Sequence, residues 1–401
     1  MRKPIAALTL LLWCSLSAAQ FSVGAGSKPT AVSPSSIMPA GKIYINLATV
    51  AKPRYGFTGP RVAISCVDPS CNNVTKPTSL GQIGGTFRIS CKFSHAAFDD
   101  PIVWPGRPGM THLHQFFGNT STRFASDLDN MATAGNSTCA GGTLNRSGYW
   151  TPPMVYHRPG NSRDGEVLFG YDNNAYYKSD CCYNTAAIVS AMKWPQPGHR
   201  MIAGNATNTG VLNTNIAKFA CQGSSSHFFD HIPTTAEATA LGAGECPGIT
   251  MMIIFPQCWD GVNLDSPNHQ SHMAPADAYA GCTDPAFPTL FPTISFNVHF
   301  RINDLADLDY LRLASDQPKA TAAGVCADAA HNYCAGATAH GDWVNGWPES
   351  LNWLGFPTPG SITNAILTNC LKPAPNYAHD CHNHLLGNPD PANPNNYYTL
   401  Q

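Results

Sequence analysis

A mainly β fold, with a β-sandwich-like core, long disulfide-stapled loops and a few short helices, is what this 401-residue sequence predicts. Three observations carry that reading. Short runs rich in β-branched and aromatic residues alternate with turn residues, and 34 Gly and 33 Pro leave little room for long elements. Apolar residues at helical spacing are scarce. There are 15 cysteines, of which Cys14 lies in an apolar leader, so an even set of fourteen remains, as a disulfide framework requires.

Taken from the start, Arg2 and Lys3 precede an apolar run from Ile5 to Leu16, and Ser17, Ala18 and Ala19 are small. That is a secretory signal over 1–19, too short for a membrane span of roughly 20 apolar residues. Residues 20–41 are rich in Gly, Ser, Pro and Ala and read as a flexible leader. One globular domain is expected over 42–386, followed by a Pro/Asn-rich tail over 387–401. Strands are expected at 43–45, 61–65, 86–90, 167–171, 248–255 and 293–300, and short helices at 185–192, 234–241 and 361–367. Local bridges are expected for Cys66 with Cys71, Cys326 with Cys334 and Cys370 with Cys381, while the adjacent Cys181 and Cys182 need distant partners.

Charge narrows the partners. Only 12% of residues are charged and the net charge is −2, so bulk charge draws the chain neither to nucleic acid nor to anionic lipid. No later stretch is long and apolar enough to span a membrane, and a secreted or periplasmic monomer is expected. Sequons stand at Asn73, Asn119, Asn136, Asn145 and Asn205, and matter where the host glycosylates.

The chemistry-bearing residues fall in three blocks. In the first, His112 and His114 are spaced i, i+2, which on a strand puts both rings on one face. Two imidazoles so placed suit a metal or acid/base work. The second holds Cys258, Trp259 and Asp260, then His269 and His272, brought near each other by a turn after Pro267; His299 follows on the more polar side of a strand. In the third, His340 and Asp342 again share a face when extended. His112, His114, His269, His272 and His299 are the candidate metal ligands, with zinc or copper suited to imidazole donors. His340, Asp342 and Asp260 are the candidate acid/base groups, and Trp150, Tyr156, Trp259 and Trp343 the candidate faces for sugar rings. The competing reading places each aromatic in the core and leaves each histidine a local hydrogen-bonding role. His227 and His231, and His379, His382 and His384 near the terminus, are weaker candidates.

Nucleotide-binding and common hydrolase signatures are missing: there is no GxGxxG after a strand, no Walker loop, no HExxH and no GxSxG. With only four Glu, a glycosidase carboxylate pair would have to use Asp.

The blocks together resemble a secreted microbial family catalogued as a domain of unknown function. The residues that carry the resemblance are Asp100-Pro101-Ile102-Val103 with Pro105-Gly106, His112 to Asn119 (HLHQFFGN), Tyr149 to Pro152, Cys258 to Gly261, the His269 and His272 pair, the segment PTLFPTISFNVHF, and His340 to Trp347 (HGDWVNGW). They run from about Lys92 to Trp347. The resemblance implies secretion and one domain, and no reaction. The expectation from the residues themselves is a metal-assisted or His/Asp-catalysed enzyme, a hydrolase or lyase, acting on extracellular polysaccharide. The alternative is a non-catalytic exported protein that binds metal or glycan.

Overall fold

The computed structural model describes residues 85–139, 145–179, 186–222, 227–242, 246–316 and 335–347, with a few short pieces beyond. The expected strands at 43–45 and 61–65, the leader, the tail apart from Thr399–Leu400, the helix at 361–367 in most of its length, Cys181, Cys182 and at least one cysteine of each local pair lie outside the described residues.

Ten strands form the principal sheet. They are β1 (Thr86–Ala97), β2 (His114–Gly118), β3 (Gly148–Thr151), β4 (Asp172–Lys178), β5 (Arg200–Gly204), β6 (Ala217–Cys221), β7 (Gly248–Ile254), β8 (Thr293–Arg301), β9 (His340–Val344) and β10 (Asp380–His382). Their order is β5-β9-β3-β2-β1-β4-β8-β7-β6, with β10 parallel to the start of β1. The other pairings among the nine are antiparallel.

The sheet becomes sandwich-like through β1. Residues Thr86 to Lys92 of this strand pair with β4, and Phe93 to Ala97 pair with β2, the register shifting between Phe93 and His95. An irregularity of this kind bends a strand and lets it pass from one layer to the other. The core lies between the two halves: Tyr149 of β3 meets Phe296 of β8 at 5.4 Å between ring centroids, and the Tyr149 and Tyr177 hydroxyls are 2.9 Å apart. Gly341 of β9 illustrates how close the layers come, since a Cβ there would lie 3.2 Å from Ile253 and Phe296.

Period-two alternation assigns the faces. On β8 the inward Phe296, Val298 and Phe300 are buried, as are Met251 and Ile253 of β7. Each such side chain contributes roughly 1.5–3 kcal/mol on burial. Expected and observed strands agree closely at Gly248–Ile254 and Thr293–Arg301, whereas the run at 167–171 yields only a short strand, Val167–Leu168, before β4.

Three short helices sit on this frame: α1 (Leu128–Thr133), α2 (Ala186–Ala191) and α3 (Thr235–Ala240). Capping boxes start two of them, from Asp127 with Asn130 and from Thr234 with Glu237. The sequence predicts α2 and α3 within a residue or two but not α1, whose six residues show no apolar period. Disulfides join Cys91 to Cys139, Cys221 to Cys246 and Cys258 to Cys282. Among the described sequons, Asn119, Asn136 and Asn145 are buried, and Asn205 is exposed. No helix among the described residues is long and apolar enough to cross a membrane.

The outer face of β2, β3 and β9 is also covered. Phe116, Trp150 and Val344 point there and pack with Ile102 and Met131 in a second, small core. The segment Phe98 to Leu113 lies over this core, and the candidate site is built along its edge.

Candidate metal centre

β2 and β9 supply the site. They are separated by β3 in the sheet, yet His114 at the start of β2 and His340 at the start of β9 project to the same outer face. His112 lies in the bend just before β2, and its ring is 4.3 Å from that of His114. The three Nε2 atoms converge: His112 to His340 is 3.1 Å and His114 to His340 is 3.3 Å. Two carboxylates join them. Asp342, two residues beyond His340 on the same face, brings Oδ2 to 3.9 Å from His340 Nε2. Asp100 comes from the covering segment; one atom each from Asp100, His114 and Asp342 lie within 4.8 Å of one another, as do one each from the three histidines.

The covering segment is held by its own carboxylates. Asp100 Oδ1 accepts from the amides of Ile102 and Val103, at 2.9 and 3.0 Å. The Asp99 carboxylate accepts from the amides of Gly109 and Phe124, and its carbonyl accepts from His114 Nδ1 at 3.0 Å. One residue therefore ties the loop down and fixes the ring beneath it, as groups behind a metal ligand commonly do.

Hydrogen bonding sets the tautomers. A carbonyl only accepts, so His114 Nδ1, facing Asp99 O, and His340 Nδ1, facing Thr338 O at 2.7 Å, each carry a proton. Burial holds both rings neutral, at about 3 for His114 and about 4 for His340, against an ordinary value near 6.5. Burial likewise depresses His112, and the nearness of the His114 and His340 rings acts in the same direction. A neutral imidazole has one N–H, so the Nε2 atoms of His114 and His340 are both bare lone pairs, facing each other at 3.3 Å. His112 can donate to one of them and not to both. Tetrahedral zinc with bonds of 2.0–2.1 Å would set its donor atoms about 3.3 Å apart.

The carboxylates are the complementary anomaly. Burial pushes Asp100 up, and it pushes Asp342 well up, with the charge of Asp100 adding to the effect. Asp342 Oδ2 is buried and has no hydrogen-bond partner. Bare nitrogens and an unpartnered carboxylate oxygen in one enclosed place form a donor set for a cation. His340 and Asp342, expected near the imidazoles as acid/base groups, lie within the cluster itself.

The other candidates lie elsewhere. His272 is held by Ser266 Oγ at 3.0 Å and the carbonyl of Arg200 at 2.8 Å, so both its nitrogens are engaged. His299, on the far half of the sheet, accepts from the Asn174 amide at 3.0 Å and donates to Thr250 Oγ1 at 2.9 Å. Asp260 caps a turn, accepting from the amides of Val262 and Asn263. Trp150, Tyr156, Trp259 and Trp343 are all buried, so none presents a ring face to solvent. His269 stands near the cluster without joining it. Sequence reasoning gave no role to Asp100, although an acidic pair so close before HLH was a readable signal. It also passed over His199, which is buried against Trp259, Phe291 and Trp343 in the main core.

His299 yields a test of the electrostatics away from the cluster. Burial lowers it to about 4, and the charges of Arg88 and Lys92 act in the same direction. Its folded value lies below its unfolded one, near 6.5, so the stability it lends is present above pH 6.5 and lost as pH falls towards 4. Urea unfolding of His299→Gln should therefore lose less stability between pH 7 and pH 5 than the parent protein does. Equal losses would refute the assignment.

Neither curated proteins nor solved structures yield a match to this chain. A family model does match, over residues 100–347, a span that includes the three histidines, Asp100 and Asp342, and the covering segment from Asp100 onwards. The chain belongs to the family described as domain of unknown function DUF1996.

Proposed function

We propose that this protein is an exported metalloprotein in which His112, His114 and His340 hold a divalent transition metal, zinc or copper, beside the Asp342 carboxylate. The observation that carries the reading is the pair of bare Nε2 atoms of His114 and His340, buried and facing each other at 3.3 Å. Without a cation these lone pairs repel in a medium of low polarity; with one they become its ligands. The disulfides and the secretory leader support an oxidising destination.

The activity we assign is metal-assisted hydrolysis of an extracellular polymer, polysaccharide being the first candidate. Three histidine ligands leave a coordination position for water, as catalytic zinc sites do. His112 is only partly buried and opens the centre towards solvent. Trp104, four residues after Asp100 on the covering segment, is partly exposed with Arg107 stacked on it at 5.0 Å and is an aromatic face available to a sugar ring. A non-catalytic metal-binding role is the second reading. It is favoured by Asp342, which would complete four protein ligands and close the position.

Metal analysis of protein purified without a histidine tag and incubated with zinc tests the proposal. About one equivalent should remain after desalting, with a higher melting temperature than the chelator-treated protein. A zinc content near zero would sink it. Cyanide should perturb the visible spectrum of the cobalt-loaded protein under the hydrolytic reading and leave it unchanged under the second.

A further inference from the structure

His269 is the only non-glycine residue with positive φ among the described residues, at 60°. A side chain in this region persists only where its surroundings hold it there, and such residues gather at functional sites. The surroundings here are dense. Asn268 Oδ1 accepts from the amides of Gln270 and Ser271, and the His269 amide donates to Ser266 O at 2.8 Å. The Gln270 side chain donates to the carbonyls of Ile202 and Gly204 on β5, and Gly204 is paired with His340. The loop is thus clamped to the strand next to the one that carries the metal donors.

What this loop presents is an oriented imidazole. His269 Nδ1 lies 3.0 and 3.2 Å from the two Asp265 oxygens, and Asp265 is paired in turn with Arg200 at 3.4 Å. A carboxylate at Nδ1 places the proton there and leaves Nε2 as a lone pair. The ring is 23% exposed, and Nε2 makes no hydrogen bond with the described residues. His269 is also close enough to Asp100 for its charge to favour the ionised carboxylate there.

We infer that His269, oriented by Asp265, is the proton carrier of the metal centre. The inference rests on the metal reading above. In the step it serves, His269 Nε2 accepts a proton from water bound at the centre. The oxygen keeps the electron pair of the broken O–H bond and attacks the substrate, and the imidazolium, held by the Asp265 carboxylate, returns the proton to the leaving group.

His269→Gly is the informative variant, because glycine adopts a φ of 60° without strain and leaves space where the ring stood. Zinc-loaded parent and variant are compared with 4-nitrophenyl acetate as the probe, with and without added imidazole. The parent should hydrolyse it above the rate of its chelator-treated form. His269→Gly should keep its zinc and its melting temperature, lose on the order of 100-fold in rate, and regain rate with imidazole. Asp265→Asn should slow the reaction without rescue. Unchanged rate, loss without rescue, loss of zinc from the variant, or zinc-loaded parent that is no faster than the metal-free form would each overturn the role of His269. Parent protein that takes up no zinc would instead overturn the metal centre and the inference with it.

Discussion

His340→Ala should reduce tightly bound zinc from about one equivalent to none detectable, and His114→Ala should do the same. Each supplies a bare Nε2 to a common centre, and removing one of three imidazoles is a larger loss than removing a group behind a ligand, which costs 10–100-fold in metal affinity. Asp99→Ala provides that milder comparison, because it removes the carboxylate that anchors the covering segment and spares the carbonyl at His114 Nδ1. His299→Ala should leave zinc content unaltered, since its ring is engaged with Asn174 and Thr250. Competition titrations against a chelator of known affinity give the ranking. If His340→Ala binds zinc as the parent does, the cluster is not the site. Melting temperatures in chelator should differ little between the parent and His340→Ala, for the substitution also removes a lone pair that repels its neighbours.

How far the sequence foretells this arrangement depends on the distance over which each feature is set. Local features are legible. The i, i+2 spacing of His340 with Asp342 does place that pair on one face of β9, because side-chain direction in extended chain alternates every residue, whereas His112 comes beside His114 from the bend before β2. The β-rich class follows from the same alternation, and the capping box at Thr234 and Glu237 marks the start of α3. What spacing cannot carry is which faces meet. His112 and His340 are 228 residues apart, and their contact depends on β9 pairing between β3 and β5. The alternation that puts His299 on a polar face is equally valid, yet that face belongs to the other half of the sheet. His269 and His272 illustrate the same point in a loop: three residues apart, one has a left-handed backbone and is held by Asp265, and the other is locked to Ser266 and Arg200. Aromatic residues mislead for a further reason. Trp343 adjoins Asp342 in sequence because it shares its strand and points to the opposite face, while Trp150 pairs with Asp342 from the neighbouring strand and is buried in the small outer core.

Asp342→Asn should have opposite effects on the two forms of the protein. Without metal, Asp342 Oδ2 is buried with no hydrogen-bond partner, 3.9 Å from a histidine nitrogen that is itself only an acceptor. An asparagine amide supplies the donor that this pocket of acceptors lacks. The metal-free variant should therefore be more stable than the metal-free parent, by about 1–3 kcal/mol, the usual cost of a buried polar group left unpaired. The gain should depend on pH in a defined sense. The folded-state value of Asp342 is raised well above 3.8, so the unfolded chain releases its proton first. The parent's penalty then grows as pH rises from about 4 to the raised value, and it is absent below that window. Asparagine has no such proton, and the advantage of the variant should be larger at pH 8 than at pH 5. With zinc present the order should reverse, because the carboxylate's charge is what the cation uses and the neutral amide is a poorer ligand. Chelator-treated and zinc-loaded melts of both proteins at the two pH values make the test. A variant that is less stable than the parent without metal would show that Asp342 serves the fold, and a variant that keeps the full zinc stabilisation would show that it does not serve the metal. The expected crossing, stability gained when empty and lost when filled, is the mark of a residue retained for its ligand at the expense of the unliganded fold.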